Sequence, residues 1–344
     1  MAEFTSRRLA LVTALALGLT LAAGIATLAA TLGPFAWPLE VLANFRPQLA
    51  VAALAALILA LVLRHRPLIV VTLVLSAANL QPIFTHLMAY VRDPAAVAST
   101  AQGRPLRLLS LNMHGGDTDN GKFMALVAAE KPDMILLTEL PGDLDTRMAP
   151  LADQYPHRIF SRTNSQFHDV ALYSRWPSAF IETARAGANF PVVTADLCPP
   201  AGEKGVCVRM IGLHGVTPLN GENAGLHERQ IELAARSAAT HLGPTIILGD
   251  LNMTPWSSAF TRLVDNVHLR DTSLLRGMAP TWSPRFNPGL LNDLGTLIAL
   301  PIDHVLVSED VTPLASRIGQ DVGSDHRPIL VDVALPDLSA PNLQ

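Results

Sequence analysis

The sequence is short of charge. Only 16% of its 344 residues are Asp, Glu, Lys or Arg, and a 49% apolar content with a mean hydropathy of +0.31 is too high for a wholly water-soluble chain. Glycine and proline are modest at 22 and 26 residues, which excludes a disordered tail protein and a collagen-like repeat. Internal repeats are missing as well, so a polar solenoid is out. There is no basic surplus either: from Gly103 onward 19 Lys and Arg face 26 Asp and Glu, a formal net of −7. Proteins that grip duplex nucleic acid through its phosphates show a basic stripe, and this region does not advertise one.

The apolar excess is concentrated in residues 1–93, whose only charged side chains are Arg7, Arg8, Arg46, Arg64, Arg66, Arg92, Glu3, Glu40 and Asp93. Uncharged runs of 31, 17 and 25 residues lie after Arg8, Arg46 and Arg66. A bilayer core needs roughly 20 apolar helical residues, with about 17 the practical minimum. The runs predict a transmembrane module of about three helices near Leu9 to Leu32, Gln48 to Leu63 and Leu68 to Tyr90, the second being the weakest. The first run is longer than a signal-peptide core of about 7 to 15 residues, and two more apolar segments follow it. Arg7, Arg8, Arg64 and Arg66 sit on loops that tend to stay cytoplasmic. Three crossings then put residues after Arg92 outside, in a multi-pass inner-membrane arrangement with a periplasmic C-terminal domain; if the second segment is re-entrant, the side reverses. The third segment carries Asn79, Gln81 and His86 but no Asp, Glu, Lys or Arg, which leaves little for an ion path.

Residues 94–103 read as a linker, and 104–344 as one large domain. Apolar, β-rich runs appear at Leu106 to Leu111, Met134 to Thr138, Val170 to Tyr173, Val192 to Leu197, Val206 to Leu213, Thr245 to Leu248, Ile302 to Val307 and Ile329 to Val333. Helical patterns cover Lys122 to Glu130 and Leu226 to His241. Strands outnumber helices, so a layered α/β or α+β domain with an antiparallel or mixed core is expected. Cys198 and Cys207 flank a Pro- and Gly-containing turn between two strand-like runs. Such a hairpin can bring them within bonding reach, which favours an oxidising compartment; two unpaired buried thiols are the alternative.

Polar residues stand at the strand ends. Asn112 follows Leu111, Glu139 follows Thr138, His214 follows Leu213, and Asp250-Leu251-Asn252 follows Gly249. Asp303-His304 opens one run, and Ser324-Asp325-His326-Arg327-Pro328 precedes the last. Singly, each has an ordinary reading: Asp250 and Asn252 as turn formers, Asn112 as a helix cap, His214 as a satisfied core imidazole. Jointly they are harder to dismiss, because carboxylates buried beside Ile, Leu and Val are costly unless paired or metal-bound.

The ordered set Leu-Asn112, Thr-Glu139, Leu-His214, Gly-Asp250-Leu-Asn252, Thr281-Trp282, Ile-Asp303-His304 and Ser-Asp325-His326-Arg-Pro resembles the endonuclease/exonuclease/phosphatase superfamily, from about Arg104 to Leu335. The arrangement is most similar to membrane-anchored bacterial members. The resemblance implies a four-layer sandwich of two packed mixed β-sheets flanked by helices, and divalent-metal-dependent cleavage of phosphate esters. It implies that Glu139 is the principal metal ligand, with Asn112 and Asp325 near the same ion. Hard oxygen ligands without a Cys/His cage favour Mg²⁺ or Mn²⁺ over Zn²⁺. It further implies that Asp250 orients or deprotonates the attacking water and that Asn252 contacts a phosphoryl oxygen or that water. His326 would stabilise the transition state with Asp303 fixing its tautomer, and His214 would be a second histidine at the phosphate. Thr138 stands where many members have Gln, and Leu213 where Thr is common. The segment from Arg162 to Trp176 is given a structural role.

The expected partners are therefore the bilayer and a phosphate-ester substrate, which the constellation leaves open among nucleic acid, phospholipid head group and small phosphodiester. No obligate protein partner is inferred. A nuclease is the narrower alternative, and a catalytically silent membrane scaffold the alternative from another class.

Overall fold

The structure, a computed structural model, describes residues 2–91, 105–163, 165–203, 205–285 and 292–336. The expected linker at 94–103 lies outside them. Two compact units are present: Met1–Arg92 with Pro255–Ser258, and Asp93–Thr254 with Ala259–Gln344.

The first unit is helical: α1 (Ala2–Thr31), a short α2 (Trp37–Ala43), α3 (Arg46–Val62) and α4 (Arg66–Val91). Its burial is inverted relative to a water-soluble bundle. Small residues such as Ala16, Ala23, Ala53, Ala56 and Ala60 are buried, while Leu11, Leu21, Ile25, Val51, Ile58, Val62 and Val74 are exposed. Small residues let helices approach closely where lipid, not water, is the solvent. Asn79 Nδ2 donates to Thr27 Oγ1 at 2.8 Å, linking α4 to α1. Arg46 donates to the carbonyl oxygens of Ala78 and Ala30 at 3.0 Å each. Two helices are long and apolar enough to cross a membrane, Arg7–Thr31 and Arg66–Met88. The expected third crossing is resolved into α2 and α3, bent by 68°; the count reaches three only if that pair is one span.

In the second unit, β1 (Leu106–Asn112), β2 (Met134–Thr138), β3 (His157–Ser161), β4 (Val170–Ser174), β11 (Thr312–Ile318) and β12 (Ile329–Ala334) form one sheet. Its order is β11-β12-β1-β2-β4-β3. The other contains β5 (Ser178–Ala186), β6 (Phe190–Leu197), β7 (Val208–Leu213), β8 (Thr245–Asp250), β9 (Leu269–Asp271) and β10 (Asp303–Ser308), in the order β5-β6-β7-β8-β10-β9. Both are mixed, β1/β2 and β7/β8 being the parallel pairs.

Alternate residues of the two sheets interdigitate. Leu108, Leu136, Leu172, Val193, Met210, Ile246, Val305 and Val331 form the inter-sheet core. The opposite face of the first sheet packs Leu109, Ile135 and Leu137 against Phe123, Leu126 and Val127 of α5 (Asn120–Glu130). The opposite face of the second packs Ile211, Ile247 and Leu306 against Ile231 and Ala234 of α7 (Gly221–Ala239) and Phe260 and Leu263 of α8 (Ser258–Asn266). The layers are helix, sheet, sheet, helix, a four-layer sandwich. A short α6 (Leu144–Met148) and α9 (Asn292–Leu297) complete the helices described. Helices α5 and α7 start on polar caps: Asp119 accepts from Lys122 N–H and Asn220 from Asn223 N–H. Cys198 and Cys207 are bridged across the turn between β6 and β7.

Candidate active site

Strand direction gathers the polar residues. β1 and β2 run parallel with Asn112 opposite Thr138, so Asn112 and Glu139 emerge at one edge. In the other sheet β7 and β8 are parallel and deliver His214 and Asp250. β10 is antiparallel to β8 with Asp303 opposite Asp250, so its start lies beside the end of β8. β12 is antiparallel to β1 with Ile329 opposite Ser110, which places the preceding Asp325-His326 at the same edge.

Asn112 lies at the centre of the resulting cluster. Its Nδ2 donates to Glu139 Oε1 at 2.8 Å and Asp250 Oδ2 at 3.0 Å, and its Oδ1 accepts from His114 N–H at 3.0 Å. His214 Nε2 is 3.4 Å from Glu139 Oε1 and 3.5 Å from Asp250 Oδ2. Its Nδ1 donates to Phe167 O at 2.7 Å; a carbonyl only accepts, so Nδ1 carries the proton. Asn252 Nδ2 donates to Gly215 O at 2.8 Å and lies 3.3 Å from His214 Nε2, while its N–H donates to Asp250 Oδ1 at 2.9 Å. On the other flank His326 Nδ1 donates to Asp303 Oδ2 at 2.8 Å, with Nε2 3.6 Å from Asp250 Oδ2.

Backbone conformation aims several of these groups. Glu139, Asn252 and His114 have φ of 49°, 49° and 48°, a region side chains other than Gly rarely occupy and which concentrates at functional sites. Gly249, at φ 137°, has no room for a side chain: a Cβ would collide with Leu213 O of the neighbouring strand.

Asp250, Asp303, Asn112 and His326 are almost fully buried. Burial pushes the Asp250 carboxyl up to about 6, against the pull of His326, with Asp303 adding to the rise. Burial alone would lower His326, but Asp303 and Asp250 outweigh it and raise the imidazole to about 10. Burial likewise works to raise Asp303, yet the His326 charge and hydrogen bond leave it below the usual carboxylate value. His168 is lowered by burial and by nearby His214.

Two sets of groups lie close enough to share a cation: Glu139, His214 and Asp250, and Asp250, Asp303 and His326. No Lys or Arg among the described residues pairs with Glu139, Asp250 or Asp325, whose ionic neighbours are imidazoles. His326 supplies positive charge to Asp303 and Asp250, which leaves Glu139 with His214 and Asp250 as the set whose hard carboxylate oxygens fit a divalent ion. Asp325 stands apart from both sets: Trp282 Nε1 donates to its Oδ2 at 2.9 Å and His114 Nδ1 is 3.4 Å from Oδ1. As placed, Asn112 serves the carboxylates through its donor nitrogen.

Several residues at the site were not singled out in the sequence. Gln230 of α7 is fully buried, donates to His214 O at 2.8 Å and accepts from Val216 N–H at 3.0 Å. His227 Nε2 holds Leu251 O at 3.0 Å, and His304, quoted in the sequence beside Asp303 but given no role there, holds Met253 O through Nε2 at 2.8 Å. His114 lies two residues beyond Asn112, the only signal it carries. The Arg162 to Trp176 segment, assigned a structural role above, contributes Phe167 and His168 to a cavity that reaches Glu139 and His214.

Residues 109–326 match the Endonuclease/Exonuclease/phosphatase family, well over half of the chain. The chain belongs to that family. Its members are hydrolases acting on phosphoesters. Among curated protein sequences none matches this chain. Similar solved structures include an endonuclease/exonuclease/phosphatase from Beutenbergia cavernae, 20% identical with a TM-score of 0.54, covering 68% of this chain and 72% of that one. One from Bacteroides vulgatus is 14% identical, with a TM-score of 0.54 and coverage of 68% and 100%. TDP2 of D. rerio, complexed with single strand DNA product, is 16% identical, with a TM-score of 0.52 and coverage of 67% and 99%. At these identities the likeness is one of fold.

Proposed function

We propose that the protein is a membrane-anchored, divalent-metal-dependent phosphoesterase that hydrolyses a phosphodiester or phosphomonoester by in-line attack of water. The observation that carries this reading is the convergence of Glu139, Asp250, Asn252, His214, Asp303 and His326, from five strand ends, on one edge of the sandwich. Glu139, the principal ligand the resemblance implies, would hold Mg²⁺ or Mn²⁺; of the other two it implies, Asn112 here turns its donor nitrogen to the carboxylates and Asp325 is held by Trp282 and His114. When bound, such an ion supplies positive charge to the nonbridging oxygens.

The chain's own groups account for the rest. Asp250, raised to about 6, is mostly ionised at neutral pH yet basic enough to take a proton from an attacking water. Asn252 Nδ2, 3.3 Å from His214 Nε2, would donate to a phosphoryl oxygen; His214, whose Nδ1 proton is committed to Phe167 O, would donate to it through Nε2 only as the doubly protonated imidazolium. His326, kept cationic by Asp303, would offset charge developing on the opposite side of the phosphorus. Asp303 acts on the ring through Nδ1 and leaves Nε2 free for that contact.

Membrane anchoring rests on the two long apolar helices and their small-inside, large-outside burial. The Cys198–Cys207 bridge supports placing the second unit on the extracytoplasmic side. A tether near a bilayer raises the effective concentration of head-group phosphates, while the net −7 from Gly103 onward argues against a duplex-gripping nuclease.

The test is turnover of bis(4-nitrophenyl) phosphate, plasmid DNA and phospholipid vesicles by the full chain in detergent, with Mg²⁺ and with chelator. Mg²⁺-dependent hydrolysis of at least one, abolished by chelation, is expected. Metal binding without turnover of any would instead establish the silent scaffold.

A further inference from the structure

A cavity of about 160 Å³ opens directly off the catalytic cluster. Glu139, His214 and Gly215 form one end; Phe167, His168, Phe190, Val216, Thr217 and Asn223 form the rest. Its volume is comparable to an engineered apolar cavity of about 150 Å³ that takes up benzene, so it has room for one ring-sized group. The aromatic part of the wall is built: His168 and Phe190 are in ring contact, centroids 4.4 Å apart. Phe167 stays 46% exposed, a large apolar side chain left at the rim, though its backbone oxygen is engaged by His214.

The charge of the lining is as informative as its shape. Among the described residues no Lys or Arg lines the cavity, and its one carboxylate is Glu139. Beyond the ion that Glu139 would hold, a second anionic group on the substrate, such as another phosphate or a carboxylate, would lie among Phe167, His168, Phe190 and Val216 with no Lys or Arg to meet it, losing its hydration without compensation. Aromatic rings favour a planar apolar group by stacking, and Thr217 and Asn223 add polar groups to the lining.

Resting on the phosphoesterase reading, we propose that this cavity is the specificity pocket of the site. It takes one ring-sized substituent of the phosphate that bears no negative charge, with Phe167, His168 and Phe190 as the determinants. The substrate class is then a phosphate ester whose anionic charge is confined to the scissile phosphate.

Binding of methylphosphonate, phenylphosphonate and 4-carboxyphenylphosphonate to the full chain with Mg²⁺, measured by calorimetry and as inhibition of bis(4-nitrophenyl) phosphate turnover, tests this. Phenylphosphonate is expected to bind at least tenfold more tightly than methylphosphonate, and the carboxylate to erase most of that gain. Phe167→Ala, a change at an exposed side chain, should collapse the phenyl-over-methyl preference, and Thr217→Lys should restore binding of the carboxyphenyl compound. Equal affinities across the series in a protein that turns over bis(4-nitrophenyl) phosphate overturn the pocket alone. Failure to turn over that ester, plasmid DNA and phospholipid vesicles alike, with no phosphonate bound, overturns the phosphoesterase reading and the pocket together.

Discussion

His326 and Asp250 set the acid–base character of the cleft, and each draws its character from the other and from Asp303. A folded-state imidazole raised from 6.5 to about 10 contributes stability that is fully present below about pH 6.5 and lost as pH rises through about 10. Asp303→Asn removes the carboxylate that holds the Nδ1 proton. In metal-free protein followed by imidazole ¹⁵N resonances, His326 should remain doubly protonated through pH 8 in the parent and titrate well below that in Asp303→Asn. A variant imidazole with unchanged titration would show that Asp303 does not set its charge. Asp250→Asn keeps the side chain's shape but removes its basicity, so kcat should fall by about 10² to 10⁴-fold with the circular dichroism spectrum retained. Because the Asp250 carboxyl is raised to about 6, metal-free protein should also gain stability from its protonation as pH falls from 6 towards 3.8, the same sign as for His326 in a lower window.

At the scale of the element, β8 shows how a strand delivers polar groups to one edge of the sandwich. Thr245 to Leu248 is an ordinary buried run, but Gly249 at φ 137° passes so close to β7 that only glycine fits. Gly249→Ala should cost about 3 kcal/mol in denaturant unfolding through strain and collision; a loss under about 0.5 kcal/mol would mean the backbone accommodates the methyl group. Strand legibility follows the same physics. The eight runs read from the sequence became β1, β2, β4, β6, β7, β8, β10 and β12, all internal to their sheets. The four left unread, β3, β5, β9 and β11, are the four edges. Internal strands buried on both faces are near-continuous Ile, Leu and Val, whereas β5, exposed at most of its positions, carries no such signal. Helix α8 escaped notice because only Phe260 and Leu263 of its residues are buried.

For the whole molecule, the bridged hairpin and the apolar helices make linked predictions. The Cys198–Cys207 loop is short, with a sequence separation of 9, so replacing both cysteines by serine should lower stability by about 2 to 3 kcal/mol on the chain-entropy account. If the second unit lies outside the cytoplasm, the parent should show the same loss when reduced, and a reporter fused after Gln344 should be active only if it functions outside. Activity from a cytoplasm-restricted reporter would reverse the proposed topology.

The sequence by itself determined the apolar N-terminal region, the buried strands and the identity of the polar residues at their ends, because each is a local property of composition and periodicity. Tertiary structure alone decided which of those residues meet: parallel and antiparallel pairing turns positions two hundred residues apart into one edge, and it separates Asp325 from the Glu139–His214–Asp250 set. It also recruited Gln230, His114, Phe167 and His168, whose roles depend on neighbours supplied by other elements. A lone buried Gln or an exposed Phe has no sequence signature, since its meaning lies in the hydrogen bond or cavity wall that only packing creates.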